Sequence, residues 1–185
     1  MSSYLRPLRF AVLGLIAAVS LKAAPAMADV LLEPYVGYKM GNFDNNGVKA
    51  DLSGTVVGAR LGVAFPVIFI AADYSVLTNG ELDWDDANRG KTNLTGSQLF
   101  ADVGVSLPLV RAYAGYGLIN ELKPDGSETI KKGDLWKLGV GTTIFPFIAI
   151  NLEYQNAKHD RQGNNELSGV TSDAFMLSVS LPLEF

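Results

Sequence analysis

Apolar and polar residues alternate with period two over most of this chain, which is the pattern of β-strands. Between Ser53 and Phe65, for example, every second residue is apolar or threonine, and the residues between them include glycine and Arg60. The same alternation recurs along the chain, with Val30 to Lys39 as the first such segment and Asp173 to Phe185 as the last. The pattern predicts an all-β protein with eight strands.

Short apolar segments that contain a proline recur about every 40 residues. Proline donates no ladder hydrogen bond and is normally confined to strand ends and turns, so we expect tight turns at Pro66, Pro108 and Pro146, with Pro182 near the end of the last strand. Between the turns lie four polar, glycine- and asparagine-rich segments: Met40 to Leu52, Thr78 to Leu94, Glu121 to Lys132 and Ala157 to Ser172. Tight turns that alternate with long polar loops indicate an antiparallel up-and-down barrel with external loops.

The composition of the two strand faces predicts which one lines the barrel. One face is apolar or aromatic, and the other mixes glycine with charged residues. A narrow eight-stranded interior has little room, so it alternates small residues with long polar ones. We therefore expect the apolar face to contact lipid and the polar face to fill a plugged lumen.

With the polar face turned inward, seven charged side chains lie in the lumen. Buried charges persist when they are paired and hydrogen-bonded. The seven residues are Glu33, Arg60, Asp73, Asp102, Arg111, Lys137 and Glu153. If Pro66 and Val67 form a two-residue turn, Arg60 lies directly opposite Asp73, and we expect an ion pair between them. The hairpin around Pro146 gives no comparable pairing. The apolar faces of its two strands lie on the same side only if the turn between them has an odd number of residues. A wide diffusion pore needs about 16 strands, which this chain does not have.

Aromatic residues predict the depth of the barrel in the membrane. Tyr74, Tyr116 and Tyr154 each stand eight residues after a turn proline, on the apolar face. A tilted strand climbs about 2.4 Å per residue, so these rings lie about 20 Å above the turns, near the far edge of an apolar band about 25 Å tall. We expect them to form a lipid-facing aromatic girdle together with Tyr38 and Trp136.

Residues 1–28 have the three parts of a secretory signal peptide. Arg6 and Arg9 form a basic start, Phe10 to Leu21 form an apolar run, and an Ala-Met-Ala sequence precedes the predicted cleavage site. The apolar run is shorter than the roughly 20 residues that a transmembrane helix needs. Residues 29–185 are then expected to form a single barrel domain.

Composition excludes several classes of function. The predicted signal peptide contains three basic residues and no acidic one, so the mature chain has a formal charge of −7. No basic stripe remains for nucleic acid. The chain has no cysteine, which excludes disulfides, thiolate metal sites and cysteine nucleophiles.

The mature chain as a whole resembles the small eight-stranded outer-membrane β-barrels, the family of the OmpA transmembrane domain and the OmpX- and Ail-like surface proteins. The most specific part of the resemblance is the terminal Phe185, which follows apolar residues at every second position: Leu177, Val179, Leu181 and Leu183. This end resembles the signal by which the bacterial barrel-assembly machinery recognises its clients. The resemblance implies export to the bacterial outer membrane and contact with its lipid, and we expect a monomer.

Candidate catalytic and metal-binding residues are few. His159 is the single histidine, and no serine stands two residues from it on an outer face, where a lipid-facing deacylase would need one; we interpret it as a solvated loop residue. The acidic residues Glu81, Asp83, Asp85 and Asp86 offer oxygen ligands but do not match an EF-hand, so we interpret them as a solvated loop tip. We predict no catalytic residue, no metal site and no cofactor.

Basic residues in the polar segments offer contacts to lipopolysaccharide phosphates, or they are ordinary surface charge. They are Arg89, Lys91, Lys123, Lys131, Lys132, Lys158 and Arg161. The function we predict is a non-enzymatic outer-membrane scaffold that presents four mobile external loops to an unknown extracellular ligand, for adhesion or envelope integrity. Two alternatives stay open, a lipid A-modifying barrel enzyme and a narrow gated channel.

Overall fold

A computed structural model describes residues 28–86, 90–131, 133–145 and 147–185. The predicted signal peptide, apart from its last residue, lies outside the described residues, as do Arg89, Lys132 and the turn residue Pro146. Among the described residues, no helix is long and apolar enough to cross a membrane.

Ten β segments account for nearly all of the described chain. They are β1 (Asp29–Asn45), β2 (Val48–Ala64), β3 (Ile68–Trp84), β4 (Lys91–Ser106), β5 (Val110–Pro124), β6 (Ile130–Lys131), β7 (Leu135–Phe145), β8 (Ile148–Gln162), β9 (Asn165–Ser180) and β10 (Leu183–Glu184). β6 and β7 are two parts of one strand, since both lie between β5 and β8. β9 and β10 are likewise two parts of the last strand, which is interrupted at Leu181 and Pro182. The ten segments therefore form eight strands.

The sheet closes into a ring because β1 pairs with the last strand as well as with β2. Tyr35 pairs with Ser180 in β9, and Leu31 pairs with Glu184 in β10. Every pairing around the ring is antiparallel. This confirms the predicted eight-stranded antiparallel up-and-down barrel.

The hairpin between β2 and β3 has the predicted register. The Phe65 amide donates to the Ile68 carbonyl oxygen at 2.7 Å, and Arg60 pairs directly with Asp73. At the β7–β8 hairpin, Phe145 pairs with Ile148 across two residues, and a register shift follows between Thr143 and Phe145. The expected odd-length turn is therefore wrong: an irregularity inside the ladder, and not the turn, changes the parity.

The strands are longer than predicted, and the four polar segments are not long loops. β1 continues to Asn45 and β2 begins at Val48, so the first connection is an Asn-Gly turn with φ of 55° and 89°, as a tight hairpin requires. The last connection is equally short, because β8 ends at Gln162 and β9 begins at Asn165. The prediction of four mobile external loops is corrected in this respect: hydrogen-bonded strands occupy most of these segments. We call this part of the barrel the rim.

The polarity of the two faces reverses in the rim. In β2, Ala50 and Leu52 point into the barrel and are buried, whereas Lys49 and Asp51 point outward and are exposed. Inward apolar residues from all around the barrel form one cluster: Tyr35, Phe43, Ala50, Leu52, Val56, Leu77, Leu82, Leu94, Leu122, Ile130, Val170, Ala174 and Met176. The rim is thus filled like a water-soluble barrel, and the predicted apolar-out arrangement holds only for the part below it.

Candidate functional site

Seven inward-facing charged residues, which we call the charge cluster, meet inside the lower barrel. Each of the seven strand segments β1, β2, β3, β4, β5, β7 and β8 contributes one of them: Glu33, Arg60, Asp73, Asp102, Arg111, Lys137 and Glu153, respectively. All are buried, with exposed fractions between 0% and 6%. The structure therefore brings together all seven charged residues that sequence analysis placed in the lumen.

Arg60 is the centre of the charge cluster. Its Nε lies 3.1 Å from Asp73 Oδ2, and its Nη1 lies 3.2 Å from Glu33 Oε1. Its Nη2 contacts Glu153 Oε1, and its Nε is 3.6 Å from Asp102 Oδ2. One guanidinium thus faces all four carboxylates, and the predicted Arg60–Asp73 ion pair is one part of a larger arrangement.

Two further cations complete the charge balance. Lys137 Nζ contacts Asp73 Oδ2 and lies 2.9 Å from Asp102 Oδ2. Arg111 Nη1 lies 2.5 Å from Glu33 Oε2. Within the cluster four carboxylates face three cations, and each charge has an oppositely charged neighbour, as buried charges require. The buried ammonium group of Lys39, above the cluster, interacts electrostatically with Asp73 and Glu153 as a fourth cation.

Two lumenal tyrosines also belong to this site, although sequence analysis did not identify them. Tyr35 Oη donates to Asp73 Oδ1 at 2.8 Å, and Tyr113 Oη donates to Glu153 Oε1 at 2.8 Å. The Arg60 guanidinium carbon also lies 4.5 Å from the centroid of the Tyr113 ring, a cation–π distance. Both tyrosines have the lumenal parity of their strands, which was the signal available in the sequence.

Glycines on neighbouring strands make room for these tyrosine rings. Gly58 pairs with Tyr35, and a Cβ at Gly58 would lie 2.4 Å from Tyr35 Cζ. Gly139 pairs with Tyr113, and a Cβ there would lie 2.2 Å from Tyr113 Cζ. Neither distance is compatible with a side chain, so the glycine-rich lumenal face exists because the large lumenal rings lie directly against the neighbouring backbone.

A second set of polar residues crosses the lumen above the charge cluster as a hydrogen-bond chain. Lys39 Nζ donates to Gln98 Oε1 at 2.8 Å, and Gln98 Nε2 donates to Asn120 Oδ1 at 3.2 Å. Asn120 Nδ2 lies 3.4 Å from His159 Nδ1, and His159 Nε2 lies 3.1 Å from Ser172 Oγ. These five residues come from β1, β4, β5, β8 and β9.

The interpretation of His159 as a solvated loop residue is wrong. β8 continues to Gln162, so His159 has the lumenal parity of this strand and is only 2% exposed. Its ring lies against Phe43, with ring centroids 5.8 Å apart. Burial lowers the pKa of His159 from its ordinary value of 6.5 to about 4. The imidazole is therefore neutral at physiological pH.

Lys39, the first member of the hydrogen-bond chain, fixes the direction of every hydrogen bond along it. An ammonium group can only donate, so the Gln98 oxygen faces Lys39 and its amide nitrogen faces Asn120. Asn120 then presents its own nitrogen to His159 Nδ1, which accepts. His159 Nε2 carries the proton and donates to Ser172, so it has no lone pair with which to remove the Ser172 proton.

The lumen has almost no free volume between the rim and the charge cluster. The cavity there is about 20 Å³, lined by polar residues such as Lys39, Gln98 and Gln155 together with apolar rim residues. This is room for about one water molecule. An organic substrate does not fit in this cavity.

The acidic segment of the rim is paired with a basic residue. Lys91 Nζ lies 2.6 Å from Glu81 Oε1 and 3.5 Å from Asp83 Oδ2, on the exposed surface. The hydrogen bond with Glu81 raises the pKa of Lys91. Within the described ranges, no group of three or more His, Asp or Glu side chains is placed to hold a metal ion.

The five residues expected in the aromatic girdle all point outward. Tyr38, Tyr74, Tyr116 and Trp136 are exposed, and Tyr154 is half-buried between neighbouring rings. The Tyr154 ring centroid lies 5.5 Å from that of Trp136 and 5.1 Å from that of Phe175, a residue that sequence analysis did not include.

The chain terminus completes the lower edge of the barrel. Phe185 forms two backbone hydrogen bonds with Val30, of 2.9 and 3.1 Å, while its side chain is 74% exposed. The apolar residues before it also lie on the barrel exterior, with Leu177, Val179 and Leu181 exposed and Leu183 half-buried. A proposed recognition role for Phe185 is therefore separable from packing, since most of this residue is exposed in the folded protein.

A family model described as the outer membrane protein beta-barrel domain matches residues 13–181. A comparison with curated proteins finds no significant match.

Among solved structures, the barrel is similar to Neisserial surface protein A at 16% identity and a TM-score of 0.58, with 82% of this chain and 97% of that chain covered. It is also similar to Ail, the attachment invasion locus protein of Yersinia pestis, at 13% identity and a TM-score of 0.53, with 84% and 99% covered. A structure of Ail in complex with the heparin analogue sucrose octasulfate matches at 12% identity and a TM-score of 0.53, with the same coverage. At these identities the likeness shows the fold.

Proposed function

Because the chain belongs to the outer membrane protein β-barrel domain family and lies in the bacterial outer membrane, we propose that it is a non-enzymatic surface protein whose rim contacts partners outside the cell. The observation that carries this proposal is the construction of the rim. Its strands remain hydrogen-bonded up to tight turns at Asn46–Gly47 and Gly163–Asn164, and its interior is apolar and filled. A rigid scaffold with a polar outer surface holds binding groups in fixed positions.

The hydrogen-bond chain argues against a catalytic histidine. His159 is the single histidine of the chain, and its Nε2 donates to Ser172 instead of accepting the serine proton. It is also enclosed by the rim interior, where an acyl chain or sugar has no access. A lipid A-modifying enzyme would need a base that reaches the barrel exterior.

The filled lumen argues against the channel alternative. A conducting path would have to pass both the apolar cluster of the rim and the charge cluster, in which Arg60 and Lys137 join residues from opposite walls. Opening that path would separate several buried ion pairs at once, and each separation is costly.

One pair of rim residues suggests the chemistry of a ligand. Lys131 in β6 pairs directly with Arg161 in β8, and both side chains are exposed. Like charges that face each other across a ladder repel, and a bound anion relieves that repulsion. Each member of the pair also has an acidic ladder partner, Glu121 beside Lys131 at 3.6 Å and Glu166 opposite Arg161, and these neutralise part of the positive charge. Ail has been crystallised with a sulfated heparin analogue, so a sulfated or phosphorylated glycan is the ligand class to test first.

The test is binding of sucrose octasulfate to the refolded protein in lipid nanodiscs, measured by calorimetry at low and physiological salt. We expect binding that weakens with salt and is largely lost in the double variant Lys131→Gln, Arg161→Gln. The matched control is Asp51→Asn, Asp83→Asn, which neutralises an outward like-charged pair between β2 and β3. Absence of binding to the unmodified protein, or equal losses in the two variants, would reject this ligand class.

The two alternative functions have direct tests. Mass spectrometry of lipid A from cells with and without the protein should show the same species, because the single histidine is buried in the lumen. Planar bilayer recordings of the refolded protein should show no unitary currents. A new lipid A species or a reproducible conductance would replace the scaffold proposal.

A further inference from the structure

The turns at the lower end of the barrel expose large apolar side chains. Val67, Leu109 and Phe147, one from each of the three turns, are exposed to 52%, 69% and 67%, and Leu107 is exposed to 59%. None of the described residues in these three turns is charged. This is unusual for turns that face water, where Gly, Asn, Asp and Ser dominate.

The opposite end of the same molecule provides an internal comparison. Its connections contain Asn46–Gly47, Asp85–Asp86, residues 125–129 and Gly163–Asn164, and none of these described residues is a large apolar one. The two ends therefore differ in composition, with large apolar side chains in the lower turns and polar ones in the described upper connections.

The height of the barrel gives a reason for this difference. Between each turn and the girdle tyrosine above it, a strand has four outward residues: Ile68, Ile70, Ala72 and Tyr74 in β3, for example. β5 repeats this with Val110 to Tyr116, and β8 with Ile148 to Tyr154. From Ile68 to Tyr74 the strand climbs six residues, or about 14 Å along the barrel axis, which is about 10 Å less than the apolar band of about 25 Å in an outer-membrane barrel.

The exposed turn residues continue the lipid-facing surface without interruption. Directly above them, the outward residues Val63, Val105 and Ile148 are apolar and exposed, as membrane-facing residues are. No charged or amide side chain separates these residues from Val67 and Phe147. The apolar exterior therefore ends at the turn tips and not at the strand ends.

We propose that the three turns lie inside the periplasmic leaflet of the outer membrane, where Val67, Leu109 and Phe147 contact the phospholipid acyl chains. The turns supply part of the missing apolar height. The partner of this surface is the phospholipid itself; a periplasmic protein or a second barrel bound at the turns would be a different outcome.

The absence of cysteine from the chain makes a direct test simple. Single cysteines replace Val67, Leu109 and Phe147 in turn, and each is labelled with a nitroxide after refolding into vesicles of phosphatidylethanolamine and phosphatidylglycerol. The collision rates with oxygen, which concentrates in lipid, and with a water-soluble nickel chelate report depth. Val140→Cys on the outer face of β7 is the mid-band reference, and Asn164→Cys in an external turn is the aqueous reference.

We expect high oxygen and low nickel accessibility at all three turns, close to the values at Val140. Accessibility like that of Asn164 would place the turns in water and overturn the proposal. Low accessibility to both reagents would indicate a protein contact, which also overturns it. Heat-dependent gel mobility identifies any variant that has not folded, and the three turns are independent replicates.

A second measurement tests the same idea through bilayer thickness. The triple variant Val67→Asn, Leu109→Asn, Phe147→Asn shortens the apolar band at one end only. Its refolding yield should be highest in thinner bilayers than those that suit the unmodified protein, because the hydrophobic height is smaller. An unchanged thickness optimum would contradict the proposal, whether or not the refolding yield falls uniformly at every thickness.

Discussion

Removal of Arg60 should destabilise the barrel far more than removal of its ladder partner Asp73. Arg60→Gln leaves four buried carboxylates facing Lys137 and Arg111, which is an excess of two negative charges within the cluster. Breaking one partner out of a buried ion pair typically costs about 3–5 kcal/mol, and a residue that faces four carboxylates belongs at the upper end of that range.

Asp73→Asn has a smaller effect because each cation of the charge cluster keeps at least one other carboxylate partner. Three carboxylates then face three cations, and Lys137 still lies 2.9 Å from Asp102. The loss is that of charge-assisted hydrogen bonds to Arg60, Lys137 and Tyr35, about 1–3 kcal/mol. The double variant restores the original excess of one negative charge within the cluster, so it should be less destabilised than the sum of the single variants by about 1 kcal/mol or more.

The assay is urea-induced unfolding from lipid vesicles, followed by tryptophan fluorescence and by the gel shift between folded and unfolded forms. The free energies of unfolding of the four proteins then form a double-mutant cycle. The reasoning is refuted if Asp73→Asn costs as much as Arg60→Gln, or if the two penalties add without a coupling energy. Val140→Ala, on the outer face of β7, controls for general sensitivity to substitution.

Three further outcomes follow from the structure. Gly139→Ala should destabilise the refolded barrel by about 1–3 kcal/mol, because the new Cβ would lie 2.2 Å from Tyr113 Cζ; wild-type stability would disprove the close approach. Since the pKa of His159 is lowered to about 4, the unfolded state binds a proton first as the pH falls from 6.5, so the free energy of unfolding should drop by up to about 3 kcal/mol between pH 6.5 and 4 and then level off. His159→Gln should remove this component, and an identical pH profile in the two proteins would show that His159 is not the titrating group. Phe185→Ala, which retains the two backbone hydrogen bonds with Val30, should reduce assembled barrel in cells much more than refolding in detergent; equal losses would indicate a packing role.

The architecture was predictable because the constraints on it are local. Period-two alternation is a property of successive residues, and proline at a turn acts through its own backbone. The same holds for the β2–β3 register, where a two-residue turn fixes that Arg60 pairs with Asp73. At the β7–β8 hairpin, by contrast, the register shift between Thr143 and Phe145 depends on how the ladder fits into the closed ring, so sequence parity led to the wrong turn.

The polar composition of the rim segments predicts loops, whereas their period-two alternation indicates strands. Polar residues were taken to indicate loops, yet Lys49 to Leu52 still alternate strictly, with the outward side chains charged and the inward ones apolar. Outside the hydrocarbon layer a barrel wall is surrounded by water, so the hydrophobic effect places apolar side chains inside. An exchange of polarity with the period retained is therefore the sequence signal of a strand that leaves the membrane. This signal also predicts a buried His159.

Strand parity gives the position of each residue of the charge cluster in the lumen but not all of its contacts. Parity placed all seven charged residues in the lumen, and the hairpin register predicted one bond, between Arg60 and Asp73. The contact of Arg60 with Glu153, which comes from the opposite wall, depends on the diameter of the ring and on the stagger of its strands, and no local pattern encodes either. Because the contacts with both walls pass through this one guanidinium, the stability of the cluster depends on closure of the barrel.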